Sequence, residues 1–264
     1  MTFSVQPFSA LALAALSAFS SSGLAAPSQV ATPWAGVASP TLDYRPDTSP
    51  GAKAFAALVP DPQAYLHDIA QKVVKTLYKT PADVPAFSTL ELRIERWEDQ
   101  PKGIAWKAGD PPRITVNVNA YYLEKYAAEG GNVAEEVRGI LFHELTHAYQ
   151  HSAGMAPAAI EAVADLVRYK AGYQPTRHRK TGGSFSAGYK TSSFFFAWLE
   201  EQKGFAEFGV CFNATANPRG PAGGQVLPWS WETATAACTQ GGKVGQLWAD
   251  YQAWLTLNPS QTPR

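Results

Sequence analysis

The hydrophobic positions of this chain change period along its length, and the changes mark out its elements. Tyr65, Leu66, Ile69, Val73 and Leu77 recur at three- and four-residue steps behind Asp61-Pro62, which predicts a helix with Asp61 as N-cap and Pro62 as first helical residue. From Thr89 the period falls to two. Leu90, Leu92 and Ile94 alternate with Glu91, Arg93 and Glu95, as in a half-buried strand. Gly103 to Trp106 and Arg113 to Val118 read as further strands around the turn signal Gly109-Asp110-Pro111-Pro112, so a short antiparallel meander is expected. Ala120 to Ala128 is a short helix stopped by Gly130-Gly131. Asn132 opens a longer helix, with Glu135 and Glu136 in its first turn and an apolar stripe of Val137, Ile140, Leu141, Leu145 and Ala148. Pro157 to Ala171 follows, stopped by Gly172, and then Ser184 to Glu201 and Val244 to Leu257, whose aromatic residues read as core. The run Arg177, His178, Arg179, Lys180, Gly182, Gly183 between them reads as a solvated loop, or as a flap over a cleft. Together these predict an α+β fold with a small antiparallel or mixed sheet packed on a central helix and a mostly helical C-terminal half.

The N-terminal end breaks the pattern. Phe8 to Phe19 is an apolar run followed by Ser20, Ser21, Ser22 and the small residues Gly23, Ala25 and Ala26, so residues 1–25 are expected to be an export signal that is later removed. The run is too short to cross a bilayer, and no second long apolar segment follows, so no membrane span is expected. Residues 26–60, rich in Pro, Ser, Ala and Gly, read as an irregular linker ordered only near Leu42 and Tyr44, and residues 61–264 as a single domain. Lys plus Arg and Asp plus Glu both number 22, which leaves no polybasic footprint for nucleic acid or anionic lipid. Cys211 and Cys238 are the only cysteines, and in an exported chain, secreted or periplasmic, they are expected to form a disulfide. The sequence carries no signal of oligomeric state.

Candidate chemistry concentrates in the Asn132 helix, which contains His143-Glu144-Leu145-Thr146-His147. Residues four apart on a helix lie one above the other, so His143 and His147 can turn their imidazoles to one metal ion with Glu144 beside them. A catalytic zinc site usually takes a third protein ligand. Glu161 and Asp165, four apart on the next helix, are the acidic pair available to supply it.

The segment GILFHELTHAYQ followed by IEAVADLVRYKAGY resembles the plant basic secretory protein family, which is similar in turn to the gluzincin branch of zincin metallopeptidases; the likeness runs from about Asp43 to Leu255. The resemblance implies a zincin-like fold and a secreted zinc-dependent peptidase acting on peptide or protein substrates. It implies Zn2+ on His143, His147 and Glu161, with Glu144 as general base and Asp165 accepting the outer N–H of His143. If the two helices are rotated by a turn, Asp165 becomes the ligand instead, as in aspzincins. Gly188-Tyr189 matches a Gly-Tyr pair in the plant relatives, which implies Tyr189 as a donor to the oxyanion. Gly103 to Trp106 is by the same resemblance the edge strand against which an extended substrate pairs. The basicity of the plant members is not shared. The rival expectation is an exported zinc-binding defence or adhesion protein with little or no peptidase activity, against which the intact Glu144 argues.

Overall fold

Four short strands form one sheet in the computed structural model, which describes residues 34, 36–99, 103–219 and 228–258. The export-signal reading of residues 1–25 lies outside them. The strands are β1 (Thr41–Pro46), β2 (Thr89–Glu95), β3 (Ala105–Ala108) and β4 (Arg113–Asn119), in the order β1-β2-β4-β3. β1, β2 and β4 run parallel, and only β3 is antiparallel, against β4. This corrects the expected meander. β2 and β4 bury most of their positions and so take the centre, as parallel strands do, whereas the half-buried Ala-Trp-Lys-Ala of β3 suits an edge. The register aligns Leu42, Leu90 and Ile114, then Tyr44, Leu92 and Val116, on one face. The other face carries charge. Arg113 Nη1 reaches Glu91 Oε2 at 2.9 Å and Asp43 Oδ2 at 3.1 Å, which offsets the repulsion of two carboxylates placed directly opposite one another.

Within residues 26–60, the order expected near Leu42 and Tyr44 is the strand β1, and the irregular reading is corrected at the helix α1 (Pro50–Leu58); residues 26–33 and 35 lie outside the described residues. Ser49 Oγ caps α1, and Phe55 is wholly buried. A six-residue strand beside a nine-residue helix shows too few periods to read, and β1 exists because β2 pairs with it.

The helices meet their predicted limits more closely. α2 (Pro62–Leu77) is capped by Asp61 Oδ1 on Ala64 N at 3.0 Å. Then come α3 (Ala120–Ala128), α4 (Val133–Tyr149), α5 (Pro157–Lys170), α6 (Tyr189–Glu201), α7 (Phe208–Ala214), α8 (Trp231–Cys238) and α9 (Val244–Leu257). Asn132 Oδ1 accepts from Glu135 N at 3.2 Å and starts α4 as the sequence predicts. α6 begins five residues later than expected, at Tyr189 rather than Ser184. The loop before it is not uniformly solvated either. Arg179 is buried, its guanidinium over the rings of Tyr169, Phe194 and Trp254 and its Nη2 3.1 Å from Glu201 Oε2.

The C-terminal half is packed with aromatics: Phe195 meets Trp198, Trp248 and Tyr251, and Phe196 meets Phe208, Phe212 and Trp231. Cys211 of α7 and Cys238 of α8 form the expected disulfide, with Cα atoms 5.6 Å apart. The fold is thus α+β with a small mixed sheet and a mostly helical remainder. No helix among the described residues is long and apolar enough to cross a membrane.

Candidate metal centre

α4 is buried along most of its length, with Ile140, Leu141 and Leu145 in the core, so the residues on its remaining face sit at the core's edge on a rigid support. On that face His143 and His147 stand one turn apart, their rings perpendicular and 4.7 Å between centroids. α5 crosses beside them and brings in Glu161. His143 Nε2 lies 3.0 Å from His147 Nε2 and 3.0 Å from Glu161 Oε2, and His147 Nε2 lies 3.4 Å from the same oxygen. An ion with bonds of about 2.0–2.1 Å to tetrahedral ligands holds those ligands about 3.3 Å apart. The three donors therefore fit a metal ion, and two imidazoles with a carboxylate are a donor set such an ion accepts.

Asp165, one turn along α5, sits behind the cluster. His143 Nδ1–H donates to its Oδ1 at 2.8 Å, so that when an ion replaces the proton shared between Nε2 and Glu161, it is the Nε2 lone pair that meets it. Burial opposes the charged form of His143, but the hydrogen bonds to Asp165 and Glu161 outweigh it and raise its pKa. Burial also pushes Glu161 up, and the bonds to His143 and His147 override that, holding its carboxyl down to about 2. Glu144 behaves differently. It is 5 % exposed, its Oε2 has no hydrogen-bond partner among the described residues, and burial raises its pKa against the opposing pull of His143 and His147. A Lys107 N–H from β3 also favours its charged form, so the edge strand touches the acid as well as the cleft.

The family model described as "BSP: Peptidase of plants and bacteria" matches residues 40–251. The chain belongs to this basic secretory protein family of peptidases. No curated protein and no solved structure matches significantly. In this member of the family a cleft of about 1510 Å³ lies over the cluster. β3 and the residues before it, Gly103 to Lys107, form one wall, and residues 173–175, 177–178 and 187–191 line it from outside the sheet. The predicted edge strand is therefore an edge strand in the cleft, shifted to Ala105–Ala108.

Tyr189 caps the site. Its ring lies parallel to that of His143 at 6.1 Å, and burial together with the carboxylates of Glu161, Asp165 and Glu144 raises its pKa, so the phenol keeps its proton. The backbone is bent to put it there: Gly188 has φ +78° and Tyr189 itself φ +42°. A Cβ on Gly188 would lie 3.2 Å from the backbone of Ala158, so glycine lets this turn press against the start of α5.

One residue escaped the reading of the motif. Gln150, three residues past His147 and so on the same helical face, places its amide nitrogen 2.9 Å from His147 Nδ1 and 3.3 Å from the carbonyl of Ile160. When His147 offers Nε2 to an ion, Nδ1 carries the proton, and a half-turn of the Gln150 amide meets it with Oε1. The i, i+3 spacing was the available signal. His178, the flap candidate, lines the cleft but does not join the cluster.

Proposed function

We propose that this chain is a secreted or periplasmic zinc-dependent peptidase with a zincin-like domain, in which His143, His147 and Glu161 hold the ion and Glu144 is the general base. The observation that carries this reading is the convergence of three donors at 3.0 to 3.4 Å beside a buried acid whose Oε2 has no partner among the described residues. Zinc, when bound, supplies the Lewis acidity that makes water acidic near neutral pH and polarises a carbonyl. Asp165 keeps the proton on His143 Nδ1 and so fixes the imidazole for ligation. Glu144 accepts a proton from water in the cleft and returns it to the leaving amine, and its raised pKa suits both halves of that task. The Tyr189 hydroxyl donates to the carbonyl oxygen as negative charge develops there. β3 offers backbone groups against which an extended peptide aligns. Export through a signal at residues 1–25 agrees with the disulfide, since such bonds persist in oxidising compartments.

The purified protein is expected to carry one zinc per chain and to cleave a mixed fluorogenic peptide library until a chelator is added. Glu144→Gln should keep zinc and fold while turnover falls about 100-fold or more. Wild-type turnover in zinc-loaded Glu144→Gln protein would sink this reading.

A further inference from the structure

Between Asp165 and Glu200 the chain carries six Lys and Arg residues and no Asp or Glu, although its charges balance over the full length. Three of the six are paired: Arg168 with Glu136 at 3.0 Å, Lys170 with Glu200 at 2.9 Å and Arg179 with Glu201 at 3.1 Å. Arg177, Lys180 and Lys190 have no carboxylate partner among the described residues. Of these, Arg177 and Lys190 line the cleft beside the metal cluster, and His178 lines it with them.

The two segments that carry these groups are fastened together. Gln174 Nε2 donates to Ser193 Oγ at 2.8 Å, and both side chains are buried, so the loop before α6 and the N-terminal part of α6 are held against one another. The fields overlap at His178. Its pKa is lowered by burial first and then by Lys190, Arg177, Arg168 and Lys180. Lys190 directly follows Tyr189, whose ring covers His143, so the basic wall starts within one residue of the metal cluster. Two cations without carboxylate partners on one cleft raise the potential there, and an anion entering the cleft is attracted to both.

We propose that Arg177, His178 and Lys190 form a subsite for a carboxylate of the substrate, so that the enzyme, on the peptidase reading given above, prefers peptides with a carboxylate one or two residues from the bond cleaved. The Arg177 guanidinium offers a planar pair of N–H donors that matches a carboxylate, Lys190 adds a mobile charge, and His178 adds a ring N–H. Elsewhere in the cleft the charges have partners: Lys107 lies 3.4 Å from Asp110, Glu136 is paired with Arg168 at 3.0 Å, and Glu135 accepts from the Asn132 amide at 3.3 Å. Both an Asp or Glu side chain and a free C terminus carry the required group.

Dye-labelled peptides of one sequence with Glu, Gln or Lys at successive positions, each with a free or an amidated C terminus, separate these sources. Anisotropy on zinc-loaded Glu144→Gln protein is expected to show the Glu peptide binding about 10-fold more tightly than its Gln counterpart. Arg177→Glu/Lys190→Glu should move that preference to the Lys peptide, and because both positions are exposed, the zinc content should not change. A preference that survives amidation assigns the subsite to a side chain, and one that amidation removes assigns it to the C terminus. Equal affinity for the three peptides, or a preference untouched by the charge reversal, overturns the proposal. Selective binding without cleavage by the wild type leaves the subsite standing and removes the peptidase reading, whereas cleavage without selectivity does the reverse.

Discussion

Glu161 and Asp165 are both carboxylates on one face of α5, yet they stand differently toward the two imidazoles. Glu161 Oε2 meets both Nε2 atoms, while Asp165 Oδ1 meets only the far nitrogen of His143. A lost ligand and a lost orienting partner fail differently. Glu161→Ala is expected to abolish tight zinc binding, whereas Asp165→Asn should keep the metal with affinity reduced about 10- to 100-fold. Competitive chelator titration of the two variants measures this, and the opposite ranking would give the ligand role to Asp165. Gln150 belongs with Asp165 in kind. Gln150→Leu leaves His147 Nδ1 without a polar partner on that side, and the same titration should show zinc bound about 10-fold more weakly.

At the scale of elements, the turn into α6 matters because it sets Tyr189 over His143. Gly188 adopts φ +78°, a region that costs an L-residue roughly 1 kcal/mol or more, and an added methyl would also crowd Ala158. Gly188→Ala should therefore lower stability by about 1–2 kcal/mol in urea unfolding and reduce kcat while zinc stays bound. A variant with normal kcat would show that Tyr189 is not needed where it stands. α4 works in the opposite sense, since its cap, its apolar stripe and its two imidazoles all agree with one another, and its limits were legible from the sequence. β1 and α1 were not, because their short patterns acquire meaning only against β2 and α3.

For the whole molecule, two features outside the cleft contribute to stability in ways that can be measured. The disulfide joins residues 27 apart and is expected to contribute about 3–4 kcal/mol by restricting the unfolded chain. Cys211→Ser/Cys238→Ser should lower the unfolding free energy by about that amount, and an unchanged urea midpoint would remove the bond from the account. His151 adds a pH dependence. It is 6 % exposed, sits edge-on to the Tyr78 ring at 5.4 Å, and is lowered from 6.5 to about 4 by burial and then by Arg219. Between those two values the unfolded chain binds the proton and the folded chain does not, so stability is fully present above about 6.5 and is lost as pH falls toward about 4. The loss is up to about 3 kcal/mol. Urea unfolding of metal-free protein across this range should show a shallower acid limb in His151→Phe, and an unaltered slope would exclude His151 as its source.

The sequence by itself determined the local parts of this protein. Periodicity, Asn132, Asp61 and the Pro and Gly boundaries fixed the long helices, because a helix satisfies its backbone within its own segment, and the His143 to His147 spacing put two imidazoles on one face for the same reason. The paired cysteines were legible from their number. Sheet order, the depth at which Glu144 lies, the choice of Glu161 beside the two imidazoles, the burial of Arg179 and the presence of Arg177 and Lys190 on one cleft were decided only in three dimensions. Each of these depends on which distant segments pack together, and neither a strand's partner nor a side chain's loss of water is encoded in its neighbours along the chain.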